Sequence, residues 1–340
     1  MKENALLTIP ELNDCLAKIK DARVAVIGDF CLDVYWKADM RLSELSRETP
    51  HHPLPIVEES YAPGGAGNVA ANVAALEPKN LIVKGVIGND WRGEVLKEAL
   101  REKGVDDRHF SVSRGRTTNC YIKPLRMGIS DVVYEDPRLD FEARMPLDRE
   151  TEDEIIADLA YMANEADVIL VCDQMRYGII TDRVREAICS LGKQGKTFIV
   201  DSRDRVALYQ NVIVKPNEVE AMRAFGGSDR SIDTLFELVK KISIRNEAPA
   251  LITLGEYGCV VTSDSTTAHC PACPVEPPID FCGAGDTFLA GFGTALAAGI
   301  DPVTAAKFAN FCSSVTIKKL NTTGTATPGE LQAEAMFRLI

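Results

Sequence analysis

A single aspartate stands among small residues where a helical pattern begins, in IDFCGAGDTFLAGFGTALAAG (279–299). Gly283, Ala284 and Gly285 come directly before Asp286, and apolar residues at helical spacing follow it. The first N–H groups of a helix lack internal partners and carry the positive end of its dipole, so such a turn suits an anion. A carboxylate there repels a phosphate unless it takes up a proton as charge moves. The arrangement therefore predicts phosphoryl transfer to a hydroxyl, although an aspartate cap beside a tightly packed turn gives the same pattern.

A second pair of oxygen ligands follows an apolar run, in KPNEVEA (215–221). Asn217 and Glu220 lie three residues apart, so a helix that begins there presents both on one side. Oxygen ligands of this kind suit Mg²⁺, usually through water. The pair also has the spacing of a capping box, with Asn217 as the N-cap and Glu220 at the third helical position. The residues alone leave both interpretations open.

A glycine-rich turn precedes another helical pattern, in PGGAGNVAANVAAL (63–76). Gly64, Gly65 and Gly67 stand just before Asn68, and the stretch satisfies the dinucleotide pattern GxGxxA. That fingerprint requires a buried strand in front of it, and the preceding residues EESYAP do not have that pattern. We expect these glycines to allow close approach of the backbone to a polyhydroxylated ligand. The GxxxxGK[ST] motif of P-loop kinases does not occur in the sequence.

The composition is that of a globular protein with an acidic surface. The 340-residue chain is 46% hydrophobic and 26% charged, and its net charge of −12 disfavours a nucleic-acid or anionic-membrane partner. No basic, apolar leader opens the sequence, and no apolar run approaches the ~18 residues of a membrane span. The ten cysteines are scattered, and the one CxxC, Cys270 and Cys273, has no second pair to complete a zinc site. We therefore expect a cytoplasmic protein with reduced thiols.

Six short apolar, β-branched runs alternate with helical patterns. The runs are 23–29, 80–88, 167–173, 197–202, 211–217 and 250–255. This order predicts an α/β fold with a doubly wound, mostly parallel sheet sandwiched by helices.

Two stretches, about 34–60 and 110–144, interrupt this alternation. They contain extended or strand-like pieces and no helical period. We interpret them as a small β-flap over one end of the sheet, although two long surface loops would give the same pattern.

These segments, in this order, resemble the PfkB-type sugar kinases, the ribokinase-like carbohydrate kinase family. GGAGNVAANVAALEPKNLIVKGVIGNDWRG resembles the family's N-terminal signature, DFCGAGDTFLAGF its C-terminal signature, and KPNEVEA and LITLGEYGCVV its magnesium and nucleotide segments. GDFCLDVYWKADMRLSELSRETPHHPLPIV, RTTNCYIKPLRM and TGTATP are most similar to the D-glycero-D-manno-heptose-7-phosphate kinases, including the kinase half of the bifunctional ADP-heptose enzymes. The resemblance implies one ribokinase-like kinase domain over residues 1–340, with the flap segments inserted as a lid.

The resemblance also implies roles for individual residues. The catalytic base would be Asp286, and the anion hole would be formed by Gly283, Ala284 and Gly285. Sugar hydroxyls would be held by Asp33, Gly64, Gly65 and Asn68. The nucleotide would be bordered by Asn217, Thr253, Gly255, Gly258 and Asn310. Magnesium would be held, through water, by Asn217 and Glu220.

The implied reaction is ATP-dependent transfer of a phosphoryl group to a sugar or sugar phosphate, with heptose 7-phosphate, phosphorylated at its 1-hydroxyl, as the first candidate acceptor. Another small sugar, a nucleoside, or a non-catalytic sugar-binding protein are the alternatives. Mg²⁺ is implied beside ATP, a monovalent cation is left open, and relatives imply a homodimer paired through the lid. A phosphate on the acceptor would need a cation, for which the candidates are Arg41, Arg47, Lys123 and Arg126.

The sequence departs from the family pattern at two places. Phe281 and Cys282 stand where the family usually has a pair of threonines, and Phe281 could reshape the acceptor or nucleotide pocket. His51 and His52 stand where the heptose kinases usually have small or apolar residues. Exposed loop histidines are the other interpretation of that pair.

Overall fold

The computed structural model describes residues 5–128, 130, 132–227, 229–263, 266–320 and 323–338. Residues 129 and 131 of the second flap segment lie outside the described residues. In this part of the chain the strands are β1 Arg23–Gly28, β2 Phe30–Asp39, β3 Ile56–Gly65, β4 Asn80–Lys84, β5 Val86–Gly88, β6 Ser111–Ser113, β7 Cys120–Met127, β8 Tyr134–Glu135, β9 Leu139–Phe141, β10 Val168–Asp173, β11 Phe198–Ser202, β12 Ile213–Val214, β13 Leu251–Thr253, β14 Cys259–Thr262 and β15 Thr267–Cys270. The α-helices are α1 Ile9–Ile19, α2 Ala66–Ala75, α3 Trp91–Glu102, α4 Arg149–Glu165, α5 Asp182–Lys193, α6 Glu218–Phe225, α7 Ile232–Asn246, α8 Ala284–Ala297, α9 Pro302–Thr316 and α10 Pro328–Arg338.

Five parallel strands form the central sheet, in the order β12-β11-β10-β1-β4. A parallel bridge between Val214 and Ala250 leads to β13, which continues as an antiparallel sheet with β14 and β15. The predicted mostly parallel sheet is therefore confirmed, with an antiparallel extension after its sixth run.

Alternate residues of the central strands face opposite sides of the sheet, as a strand's period of two requires. Val24 and Val26 of β1 belong to one buried apolar cluster, together with residues of α1, α2, α8 and α9. Ala25 and Ile27 belong to a second cluster, with residues of α4, α5 and α7. Both faces of the sheet are covered by helices, which confirms the doubly wound arrangement and explains why these strands are almost continuously apolar.

The apolar run 80–88 divides into two strands in different sheets. β4 belongs to the central sheet, whereas β5 pairs in parallel with β6 in a separate two-stranded sheet. Gly85 lies between them against the rings of Phe30 and Phe110, where a Cβ would come within 2.7 Å of Phe30. The sequence predicts a single strand here, because the pattern of apolar residues continues through Gly85 without interruption.

A second sheet, here called the flap sheet, contains β3, β2, β7 and β8 in that order, with β9 also paired to β7. β2 pairs antiparallel with β3 from Phe30 opposite Gly65 to Ala38 opposite Ile56, and in parallel with β7. The sheet thus begins at Phe30 and includes Gly65, beyond the expected limits of 34 and 60. β3, the strand in front of the glycine-rich turn, belongs to this sheet and is exposed over most of its length. A dinucleotide fingerprint requires a buried strand at that place, and β3 is not one.

The cysteines are free thiols, and both members of the CxxC are buried. Within the ranges described above, no cluster of three or more histidine, cysteine, aspartate or glutamate side chains could hold a metal ion. No described helix has the length and apolar character needed to cross a membrane.

Candidate active site

Helix α8 carries Asp286 on its first turn. The helix begins after Gly283, whose φ of +79° lies in the left-handed region that favours glycine. Farther along, Gly293 packs on the central sheet so closely that a Cβ there would lie 2.2 Å from the Leu170 side chain. This close contact with β10 holds α8 against the central sheet and so contributes to the position of Asp286.

The carboxylate of Asp286 faces α2. Its Oδ2 accepts a hydrogen bond of 2.8 Å from Nδ2 of Asn68, a residue only 1% exposed. Burial raises the pKa of Asp286 to about 6; the Asn68 hydrogen bond opposes this rise and the charge of Asp201 adds to it. A carboxylate with its pKa near 6 can accept a proton and is still largely ionised at neutral pH.

Asp33 supplies a second carboxylate to the same side. It lies on β2, is 9% exposed, and adds its charge to the field at Asp286. Burial raises the pKa of Asp33, although the charges of Lys123 and Arg138 oppose the rise. Gly64 leaves room for the carboxylate, because a Cβ there would lie 2.8 Å from Asp33 Oδ2. Asp33, Gly64, Asn68 and Asp286 are therefore brought together.

Gly65 has a different task from that of Gly64. It forms the turn from β3 into α2 with a φ of +57°, and a Cβ there would lie 2.5 Å from the carbonyl oxygen of Asp29. The positive φ and the close contact with Asp29 both require a glycine at this position, independently of any ligand.

The turn before α8 offers some, but not all, of the expected amides. The Ala284 N–H donates to the Phe281 carbonyl at 3.1 Å, so it is occupied within a tight turn. The first helical hydrogen bond runs from Thr287 N–H to the Gly283 carbonyl, so the N–H groups of Gly285 and Asp286 precede the internal ladder. The N–H groups of Gly285 and Asp286 are therefore better placed than that of Ala284 to donate hydrogen bonds to an anion.

Asn217 and Glu220 form the capping box that their spacing allowed. The Glu220 N–H donates to Asn217 Oδ1 at 2.8 Å, and the Asn217 N–H donates to Glu220 Oε2 at 2.9 Å. Burial raises the pKa of the Glu220 carboxyl, and the nearby charge of Asp201 raises it further. The pair caps α6 in this structure, and its oxygens can meet Mg²⁺ only as a small part of its coordination shell, with water and phosphate oxygens as the remainder.

A buried ion pair lies beside these groups that sequence reasoning missed. Lys215 is 4% exposed and its Nζ lies 2.7 Å from Oδ2 of Asp201, at the end of β11. Burial alone would lower the pKa of Lys215, but Asp201 raises it, with Glu220 and Asp286 adding to the effect. A lysine directly after a buried strand was the available signal, since a charge there must have a partner.

Thr253 and Gly255 lie at the carboxyl end of β13, next to Asn217. The Thr253 N–H donates to the Pro216 carbonyl at 3.0 Å, and a parallel bridge joins Thr253 to Asn217. Gly255 is exposed, with a φ of +57°. These residues of the predicted nucleotide border are therefore near the Asn217 cap.

Gly258 and Asn310, the other two residues of the predicted nucleotide border, both contact the end of β15. Gly258 is buried with a φ of +87°, and a Cβ there would lie 2.1 Å from the Cys270 carbonyl oxygen. Asn310 is 6% exposed, and its Nδ2 donates to the carbonyls of Cys270 and Pro271 at 2.9 and 3.2 Å. In this structure both residues hold the end of β15, a role that explains their identity by packing and backbone satisfaction.

The four candidate cations differ in their surroundings. Arg41 and Arg126 each form a salt bridge with an aspartate, at 2.6 and 2.7 Å, and Arg47 is exposed on a loop. Lys123 is half-buried, and its Nζ donates to the Tyr35 hydroxyl at 3.2 Å. Burial opposes the charge of Lys123, but Asp33 raises its pKa above the ordinary value. Of the four, Lys123 is the one beside the site.

The departures from the family pattern are both at the surface. Phe281 is 68% exposed directly before α8, and the exposed Cys282 donates its N–H to Asp280 at 2.9 Å. Partial burial of the Cys282 thiol raises its pKa, the charge of Lys123 lowers it, and the charge of Asp33 raises it. His51 and His52 are exposed in a loop, as the second interpretation has it.

Known proteins resemble the chain along most of its length. The model of the pfkB family carbohydrate kinases matches residues 21–328. The bifunctional protein HldE of Geotalea uraniireducens strain Rf4 is 32% identical over 335 residues, which cover 95% of this chain and 65% of that protein. HldE of Caulobacter sp. strain K31 is 34% identical over 329 residues, covering 92% and 63%. The chain thus spans slightly less than two thirds of the length of these relatives.

Solved structures share the fold. A ribokinase from Arabidopsis thaliana, complexed with ribose and ATP, has a TM-score of 0.67 at 19% identity, covering 93% of this chain and 99% of that one. Phosphofructokinase-2 from Escherichia coli, complexed with substrates and products, has a TM-score of 0.71 at 19% identity, again covering 93% and 99%. The solved structures share the fold, and the family match over nearly the whole chain confirms the resemblance drawn from the motifs: the chain belongs to the pfkB family of carbohydrate kinases.

Proposed function

We propose that this kinase transfers the γ-phosphoryl group of ATP to a heptose 7-phosphate, at the 1-hydroxyl, with Asp286 as the general base. The observation that carries the proposal is the placement of Asp286: its carboxylate is at the start of α8, is held by Asn68, and has a pKa raised by burial to about 6. The heptose is suggested by the chain's own segments that resemble the heptose kinases and by its HldE relatives.

In the proposed step, Asp286 accepts the proton of the acceptor hydroxyl while the hydroxyl oxygen forms its bond to the γ-phosphorus. The bond from that phosphorus to the bridging oxygen breaks, and ADP leaves with the bonding electrons. The N–H groups of Gly285 and Asp286, at the positive end of α8, favour the negative charge of the moving group. Asp33, Gly64 and Asn68 contribute to the sugar's side of the site.

Magnesium fits the residues present in a limited way. Asn217 and Glu220 would hold the ion through water, because each already has one oxygen in the capping box. When bound with ATP, the ion would supply positive charge to the phosphate oxygens. Thr253 and Gly255, next to Asn217, would border the nucleotide.

Lys123 is our candidate for recognising the phosphate already on the acceptor. It is half-buried beside Asp33, whereas the other candidates are salt-bridged or exposed. Its Nζ donates to the neutral hydroxyl of Tyr35 at 3.2 Å. A cation held close to the sugar site and away from bulk water discriminates a phosphorylated sugar from an unphosphorylated one.

The flap sheet is our candidate for both lid and dimer interface. Its strands carry exposed apolar side chains, including Val57, Tyr61, Tyr134 and Leu139. Exposed apolar groups that recur on one small sheet favour contact with another surface, and a second copy of the chain is the partner suggested by the family resemblance.

The test is the rate of ADP formation with ATP, Mg²⁺ and a panel of acceptors. We expect D-glycero-D-manno-heptose 7-phosphate to be turned over faster than sedoheptulose 7-phosphate, ribose or adenosine. Lys123→Met should raise KM for the heptose phosphate by ~10-fold, as loss of about 1.4 kcal/mol of binding implies. The control is Lys37→Met, which removes a partly exposed lysine of the same sheet that is salt-bridged to Glu58. Equal turnover of unphosphorylated sugars by the unaltered enzyme would remove the heptose phosphate from the proposal.

A further inference from the structure

A line of buried hydrogen-bonding side chains leads inward from Asp286. Behind Asn68, on the same helix α2, lies Asn72, which is 2% exposed. Its Nδ2 donates to Asn68 Oδ1 at 3.1 Å, and its Oδ1 accepts from Thr287 Oγ1 at 3.1 Å. Thr287 is also 2% exposed and directly follows Asp286 on α8. The two helices are thus joined twice: by Asn68 to Asp286, and by Asn72 to Thr287.

The surroundings of Asn72 allow its amide only one orientation. Nδ2 faces three oxygens: the Asn68 carbonyl at 2.9 Å, Asn68 Oδ1 at 3.1 Å and the Gly324 carbonyl at 3.4 Å. Backbone carbonyls only accept hydrogen bonds, so a reversed amide would place oxygen against oxygen. The hydroxyl of Thr287 can donate to the remaining Oδ1. Two main-chain carbonyls therefore decide which end of Asn72 faces Asn68.

This orientation passes on to Asn68. Because the NH₂ group of Asn72 faces Asn68 Oδ1, the NH₂ group of Asn68 is turned toward Asp286 Oδ2, 2.8 Å away. A reversed Asn68 would place its oxygen against the carboxylate. At a buried position that contact would be strongly unfavourable for the charged form of Asp286.

We propose that Asn72 and Thr287 are positioning residues for phosphoryl transfer, because they fix the Asn68 amide with its donor toward Asp286. The proposal rests on the base role of Asp286 proposed above. Neither side chain lies at an exposed surface, so both act through Asn68 and not by contact with substrate.

The pH dependence follows from what faces Asp286. Asn68 on α2 opposes the rise in its pKa caused by burial. Asp201 at the end of β11 and Asp33 on β2 raise the pKa, and Lys215 after β12 lowers it. Loosening the Asn68 donor removes one of the two opposing contributions, so the pKa of Asp286 moves upward. At a fixed pH a smaller fraction of Asp286 is then available as a base.

The experiment compares Thr287→Val with Thr287→Ser, because valine keeps the shape without the hydroxyl and serine keeps the hydroxyl. Asn72→Ala is the stronger variant. The carboxyl ¹³C titration of Asp286, assigned with Asp286→Asn, is followed by NMR beside the pH profile of ADP formation with heptose 7-phosphate. We expect Thr287→Val and Asn72→Ala to raise the Asp286 titration midpoint by ~0.5–1 pH unit, with kcat falling ~3–10-fold below about pH 5.5, less at neutral pH, and KM little changed. Thr287→Ser should restore both.

The matched control is Thr294→Val on the same helix. Thr294 is fully buried, but its Oγ1 donates only to the Ala290 carbonyl of α8 at 2.7 Å. It should leave the Asp286 midpoint unchanged. If Thr287→Val folds and the Asp286 midpoint stays within 0.2 units of the unaltered value, the proposal is wrong. Because the titration needs no acceptor, it decides this point even if the enzyme fails to phosphorylate heptose 7-phosphate.

Discussion

At the scale of single residues, the surroundings of Asp286 shift its pKa in opposite directions. Burial and the carboxylates of Asp201 and Asp33 raise its pKa, whereas Asn68 and Lys215 lower it, and the result is about 6. The same carboxylate in water would be almost fully ionised and a weak base. The surroundings thus convert an ordinary aspartate into one that can take up a proton near neutral pH.

The pH profile of kcat/KM should show this value. A base must be deprotonated in the free enzyme, so activity should rise with pH through about 6 and level off above it. The measurement is kcat/KM for the acceptor from pH 4.5 to 8 at saturating ATP. A profile that is flat across this range, or one that falls as the pH rises, contradicts the assignment of Asp286 as the base.

At the scale of elements, the position of Asp286 depends on how α8 is seated. Gly291 and Gly293 bring the helix close to α9 and to β10, with hypothetical Cβ atoms 3.2 Å from Ala309 and 2.2 Å from Leu170. Close-packed interiors leave little room for an added methyl group. In the sequence, the small residues after Asp286 look like an ordinary alanine-rich helix. In the structure, two of them, Gly291 and Gly293, allow α8 to pack this closely.

Gly293→Ala should therefore lower the free energy of unfolding by about 1–3 kcal/mol. Measured by urea denaturation, the loss should be accompanied by reduced activity, since α8 must shift to relieve the contact. Gly329→Ala in α10 is the control, because a Cβ there meets nothing within 4 Å and alanine favours a helix. A Gly293→Ala protein as stable as the control would show that the helix has more room than the structure gives it.

The sequence predicts the central strands well, because strands buried on both faces are continuously apolar. It predicts strand boundaries and residue roles less well where contacts between distant segments determine them. The break at Gly85 depends on Phe30 and Phe110, and the roles of Gly258 and Asn310 depend on the carbonyls of a distant segment. Periodicity contains no information on such long-range contacts.

The site shows the same division. Spacing was enough to suggest that Asp286, and the pair Asn217 and Glu220, had a part in chemistry or capping, and the capping box is indeed formed. The roles proposed for Asn72 and Thr287 cannot be predicted from the sequence, because they depend on a hydrogen bond between two helices that are far apart in the chain. Lys215 is a charge directly after an apolar strand, but its partner Asp201 lies on a different strand and cannot be identified from the sequence.

At the scale of the whole molecule, the candidate site is built from three parts of the chain. The central sheet presents Asp201 and Lys215 at its strand ends, α8 and α2 present Asp286 and Asn68, and the flap sheet presents Asp33. No single segment contains the chemistry, so the fold must be complete before the groups meet. This explains why the family's signatures are spread along nearly the whole chain.

The most direct test is the turnover of Asp286→Asn with ATP and heptose 7-phosphate. Because the pKa of Asp286 is raised on folding, its contribution to stability is complete below about pH 4 and is lost as the pH rises through about 6. A neutral asparagine should therefore fold at least as well at pH 7. We predict that kcat falls by ~10²–10⁴-fold while the KM for the acceptor stays within a few-fold. Near-normal turnover by a folded Asp286→Asn enzyme would contradict the account.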